Sequence, residues 1–118
     1  MAKQRIRSVF DSDGDNTAQA IKTSAGKLFD LEVSNPNTID SFLQLFDLAT
    51  GSITVGSTTP RLSFLVPAAA SSTIRGAFDR HFGEDGLDFQ AAISYSCTTT
   101  PTGSTDPSTG LTVNAIYS

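Results

Sequence analysis

The run LDFQAAISYSCTT, residues 87–99, puts Leu87, Phe89, Ala91, Ile93, Tyr95 and Cys97 on one parity and Asp88, Gln90, Ser94, Ser96 and Thr98 on the other. In extended backbone successive side chains point to opposite faces, so the pattern predicts a half-buried strand. The same period of two returns elsewhere: Phe29, Leu31 and Val33 against Asp30, Glu32 and Ser34; Leu62, Phe64 and Val66; Leu111, Val113, Ala115 and Tyr117 against Thr112, Asn114 and Ser118. Turn-forming residues separate these runs at Ala25-Gly26, Asn35-Pro36-Asn37, Thr50-Gly51, Gly83 through Gly86 and TTTPTGSTDPSTG. The prediction is an all-β chain, an antiparallel β-sandwich of the jelly-roll kind with about eight short strands. The 118 residues make a single domain. Residues 1–10 stand out as an N-terminal arm.

Two segments carry mixed signals. In NTIDSFLQLFDLA, Ile39, Phe42, Leu43 and Phe46 recur at helical spacing, with Asn37 available as a cap. Apolar residues nevertheless fall on both faces of an extended reading, Phe42, Phe46 and Leu48 on one and Leu43 and Leu45 on the other. We therefore read a strand over residues 42–48 that is covered on both sides, with a second subunit as a candidate for the outer cover. In STIRGAFDRHF, Gly76 disfavours a helix, and a strand followed by an exposed loop is expected.

The stretch DSDGDN (residues 11–16) invites a calcium reading, because Asp11, Asp13 and Asp15 supply alternating carboxylates. An EF-hand loop needs glycine at its sixth position and a bidentate glutamate at its twelfth. Here those positions hold Asn16 and Lys22, so the motif fails. Asp13-Gly14 is a favoured hairpin dipeptide, and the plain reading is an acidic turn between strands at residues 5–10 and 17–25. A non-EF cation site at Asp11, Asp13 and Asp15, or a contact for a basic partner, is the alternative.

The net charge of −4 argues against a nucleic-acid or anionic-membrane binder, which needs clustered cations. Lys3, Arg5 and Arg7 form the one basic cluster. A single cysteine precludes an intramolecular disulfide, no apolar run reaches the ~20 residues of a membrane span, and no cleavable signal is expected at the amino terminus. His81 and Cys97 are the only histidine and cysteine, one in a charged loop and the other on an apolar strand face, so they are not expected to form a nucleophile and base. Zinc lacks ligands, no phosphate loop is present, and Glu84, Asp85 and Glu32 read as solvated charges. The expectation is a protein with no catalytic residues and no cofactor.

Surfaces remain. The hydroxyl-rich segment 98–110 is either a mobile connection or an arm laid on a neighbour, offering Thr98, Thr100 and Thr102 for hydrogen bonding. Arg5 and Arg7 belong either to an edge strand or to an arm docking on an acidic partner. Together with Phe42, Leu43, Leu45 and Phe46, these are the candidate interface residues.

Several stretches resemble one group of proteins. VSNPN (residues 33–37), LQLFD (43–47), TVGSTTP (54–60), FLVPA (64–68) and TTTPTG (98–103) are similar to segments of small virion structural proteins of tailed bacteriophages, over residues 22–117. The resemblance implies a decoration or cement protein, made in the host cytoplasm and placed on the capsid surface. It also implies a homotrimer on local three-fold axes, with a homodimer as the alternative, and the major capsid protein as partner. The motifs carry packing and turns and transfer no binding residues. A tail, neck or fibre subunit is the competing reading. A carbohydrate-binding module fits less well, since the chain has no Trp and its two Tyr fall on core faces.

Overall fold

The computed structural model describes residues 5–118, so Lys3 and the first part of the arm lie outside the described residues. The elements in chain order are β1 (Arg7–Gly14), β2 (Gln19–Lys22), β3 (Gly26–Asn35), β4 (Ser41–Phe46), a 3-10 turn at Thr50–Ser52, β5 (Leu62–Val66), β6 (Gly76–His81), β7 (Leu87–Phe89), β8 (Ile93–Thr98) and β9 (Leu111–Tyr117). One sheet runs β1-β9-β3-β6, with β7 also paired to β3, and the other runs β2-β8-β4-β5. All pairings are antiparallel. Setting aside the short β7, an addition to the eight strands, the chain changes sheet at every step except β4 to β5, which pair as a hairpin, and this is the winding of a jelly roll.

The core lies between the sheets. Leu28, Leu31 and Val33 of β3 meet Leu43 and Leu45 of β4, Ile93, Tyr95 and Cys97 of β8, and Leu111, Val113 and Ala115 of β9. The register explains the selection, because Leu43 sits opposite Cys97 and Leu45 opposite Tyr95. Inward residues of paired strands share a face. Phe64 of β5 stacks on Phe78 of β6 with ring centroids 4.8 Å apart, closing one side of the sandwich between the sheets' edge strands.

Four expectations need correction. Residues 11–16 do not form a hairpin turn. β1 continues as strand through Asp13-Gly14, where Gly14 pairs with Leu111, and β2 belongs to the other sheet. Gly14 is buried, and a Cβ there would lie 3.0 Å from Cys97 Sγ and 3.1 Å from Leu111 O. Close packing, rather than a turn conformation, accounts for this glycine.

Residues 87–99 are not one strand. β7 pairs with β3 in one sheet and β8 lies inside the other, so the chain crosses between sheets at residues 90–92. The corner is held by Asp47, whose Oδ1 accepts from Gln90 N at 3.0 Å and Ala91 N at 2.8 Å. Burial pushes the Asp47 pKa up, but the backbone bonds from Gln90, Ala91 and Ala92 and the charge of Arg61 outweigh it, and the net shift is downward. A carboxylate with a depressed folded pKa stabilises above its unfolded value, about 4, and that stabilisation is lost as pH falls through the lower folded value. Asp47→Ala should therefore lower stability at pH 7 by about 1 kcal/mol, a cap-sized effect trimmed by solvent. Urea melts at pH 7 and below pH 3 should show the gap between variant and parent closing in acid.

Phe29 is buried but stands outside the core cluster that Leu28, Leu31 and Val33 join. The β3–β9 register shifts between Leu28 and Asp30, so Leu28 faces Tyr117 and joins the core while Phe29 sits in the irregularity. One extra residue reverses the faces beyond it.

The outer face of β4 and β8 is covered by the chain itself, not by a second subunit. Opposite the core, Ser94, Ser96 and Thr98 are fully buried and Phe46 is 1% exposed. Segment 98–110 folds back over one end of this face, where Gln44 Nε2 donates to Gly103 O at 3.0 Å, Thr98 Oγ1 to Thr100 O at 2.7 Å, and Ser63 Oγ to Pro101 O at 2.7 Å, and at the other end Ser94 Oγ donates to Leu48 O at 2.8 Å. The acceptors are the segment's backbone carbonyls, while Gln44 Oε1 and Ser96 Oγ stay buried beneath it without a partner among the described residues.

Candidate functional site

The acidic residues of β1 and its exit act as internal acceptors. Asp11 Oδ2 accepts a hydrogen bond from the Tyr95 hydroxyl, Asp11 Oδ1 accepts from Asp13 N at 2.9 Å, and Asp15 Oδ1 from Thr17 N at 2.9 Å. Asp11, Asp13 and Asp15 do not converge: among the described residues no group of three His, Cys, Asp or Glu side chains is placed to hold a metal ion.

His81 and Cys97 are kept apart. His81 Nδ1 lies 2.8 Å from Asp30 Oδ1 on the outer face of the first sheet, whereas Cys97 is buried in the core. Burial, then the charges of Asp11 and Asp15, push the Cys97 thiol pKa far up, and burial and the Asp11 hydrogen bond do the same to Tyr95. The thiolate is the reactive form. Alkylation of Cys97 in the native protein should be more than about a hundredfold slower than in urea, the rate following opening of the fold. Fast native labelling would place the thiol elsewhere.

The interface candidates divide. Leu43, Leu45, Phe46 and Thr98 are used inside the chain, so they offer no surface to a partner. Phe42 is half-buried and pairs with Leu65, which is 48% exposed. Thr100, Thr102, Arg5 and Arg7 are exposed.

The largest apolar exposures outside this group include Phe10 at 66% and Ile6 at 56%, with Ile116 at 39% beside them. Ser8 pairs with Ile116 and Phe10 with Asn114, which places Phe10 and Ile116 as diagonal neighbours on the outer face of the first sheet. β1 pairs only with β9, so its second edge is free among the described strands. Where β1 starts, a cleft of about 360 Å³ opens toward β2, lined by Arg7, Ile21, Lys22, Thr23, Ser24 and Tyr117. Sequence reasoning passed over both features. The available signal was Ile116 and Phe10 occupying polar-phase positions of otherwise alternating strands. Comparison with protein-family models and with curated proteins finds no match.

Proposed function

We propose that this chain is a structural protein of a tailed-phage virion, a decoration protein that binds the capsid surface and bridges neighbouring major capsid subunits. The observation that carries the reading is the exposed apolar strip Ile6, Phe10 and Ile116 along a free edge strand, adjoining Arg5 and Arg7. Exposed apolar side chains beside an unpaired strand edge are contact material, because they leave both hydrophobic area and backbone hydrogen bonds to be completed by a partner. The jelly roll is also an architecture used in viral capsid domains, which agrees with the sequence resemblance.

In this reading the protein works as a homotrimer, with a homodimer as the alternative, and the half-exposed Phe42 and Leu65 with Thr100 and Thr102 supply the self-contact. No reaction is involved. Each subunit makes modest contacts, and oligomerisation renders the second and third effectively intramolecular, raising avidity by about 10²–10⁴.

The test is co-sedimentation of the purified protein with capsid shells and, separately, with tails from the phage that encodes it. Saturable binding to shells alone supports decoration, while binding to tails alone transfers the protein to the tail or neck. Removing residues 1–6 spares β1 and should weaken shell binding most at low salt, since rim charges act chiefly on salt-sensitive association. Unchanged affinity across salt would remove the arm from the contact.

A further inference from the structure

The cations of this acidic chain are unevenly employed. Lys27 pairs with Asp88, Arg61 lies over Phe89 and donates to Asp88 O, Arg75 donates to Ser34 O and Thr112 Oγ1, and Arg80 lies over Phe82. Among the described residues, the cations given no ion pair, hydrogen bond or ring contact are Arg5, Arg7 and Lys22. Arg7 and Lys22 line the same cleft, Arg5 lies two residues from its rim, and no Asp or Glu side chain lines the cleft. The hydroxyls of Thr23, Ser24 and Tyr117 add hydrogen-bond donors.

Geometry selects the ligand. Arg7 shares its strand face with Val9, which packs on the core, and with Asp11, which reaches Tyr95, so the Arg7 face of β1 looks inward between the sheets. A strand added to the free edge of β1 would point the residue opposite Arg7 to that same face, toward the cleft. A phosphate polymer fits poorly, because Asp30, Glu32 and Asp79 occupy neighbouring positions on the outer face of this sheet and would repel it. A second copy's β1 fits poorly too, since Asp11 and Asp15 already accept internal hydrogen bonds and the Asp13 carboxylate lies against Gly110.

We propose that the Arg7–Lys22 cleft is a carboxylate-binding site that receives an Asp or Glu side chain from an extended acidic polypeptide segment added to the free edge of β1. The partner's identity rests on the decoration reading, under which the segment belongs to the major capsid protein. Cations and hydroxyls hold the carboxylate while the edge supplies backbone hydrogen bonds.

The probe is an acetylated, amidated hexapeptide alternating threonine and aspartate, titrated into the ¹⁵N-labelled full chain and compared with its threonine-asparagine counterpart. The aspartate peptide should shift the amides of Arg7, Lys22, Thr23, Ser24 and Tyr117 together with those along β1, and the R7Q/K22Q protein should bind it about tenfold more weakly. Equal shifts from the asparagine peptide, shifts confined to other strands, or no shifts would overturn the site. The peptide comparison on the unaltered chain decides the matter even if the double variant fails to fold. Shell co-sedimentation separates the two readings. If the peptide maps to the cleft but the unaltered protein ignores shells, the site stands and decoration falls. If the protein binds shells and R7Q/K22Q binds them equally well, decoration stands and the cleft is overturned as its contact.

Discussion

Replacing Asn35 with alanine should remove about 2–5 kcal/mol of folding stability, a large share of the 5–15 kcal/mol typical of a domain. Asn35 is fully buried at the end of β3. Its Nδ2 donates to Ile39 O at 3.0 Å and, at 3.3 Å each, to Val66 O and Pro67 O, so one side chain ties the β3–β4 turn to the end of β5. Its Oδ1 accepts from Asn37 N and Asn37 Nδ2, both at 2.9 Å. Asn37 passes the connection onward, donating to Thr109 O at 2.8 Å and accepting from Thr109 N at 2.9 Å. The amide is thus a junction between both sheets and the end of segment 98–110.

Alanine fills none of these roles. It strands buried donors and acceptors that water cannot reach, each at about 1–3 kcal/mol, and leaves a void beside them. Asn35→Asp is the sharper variant, because it keeps the acceptor for Asn37 but turns the donor end into an oxygen facing three carbonyls. Its defect should ease as the carboxyl protonates in acid, whereas that of Asn35→Ala should not. Urea melts followed by circular dichroism measure both. A loss below about 1 kcal/mol for alanine would mean that the junction relaxes around the gap.

The sequence shows Asn35-Pro36-Asn37 as turn chemistry, and a turn is there. What it conceals is that the two asparagines are buried polar connectors, because their partners are carbonyls of Val66, Pro67 and Thr109, remote along the chain. The same limit explains the other differences. Strand faces in β5 and β9 are legible because alternation is local. The corner between β7 and β8 is not, because Phe89 and Ile93 have the same parity and the apolar phase continues unbroken across a change of sheet. Asp13-Gly14 has the composition of a hairpin, yet pairing of β1 with β9 is decided by residues about a hundred positions away. For the candidate site the balance is similar. Arg5 and Arg7 are visible as a basic cluster, but Lys22 joins them only when the ends of β1 and β2 are brought together. Leu43 reads as spare apolar surface although it faces the core, and the outer face of β4 reads as open because nothing in the sequence announces that segment 98–110 returns to Gln44.

Gly76→Ala should destabilise the fold by about 3 kcal/mol, for a reason that meets Asn35 at the same point. Gly76 is the β6 residue opposite Asn35 in the β3–β6 pairing. A Cβ on Gly76 would run into the Pro67 carbonyl oxygen and lie 2.6 Å from its carbon and 2.9 Å from Ala68 O. These are backbone atoms, so no rotamer change makes room, and the strand end of β5 must move away. The Pro67 carbonyl that would be displaced is one that Asn35 Nδ2 holds. Each substitution therefore disrupts part of what the other relies on. The double variant, Asn35→Ala with Gly76→Ala, should lose less than the sum of the single losses by about 1 kcal/mol or more, as expected for residues sharing one partner. Additivity within about 0.5 kcal/mol would show that the two side chains act on independent parts of the structure.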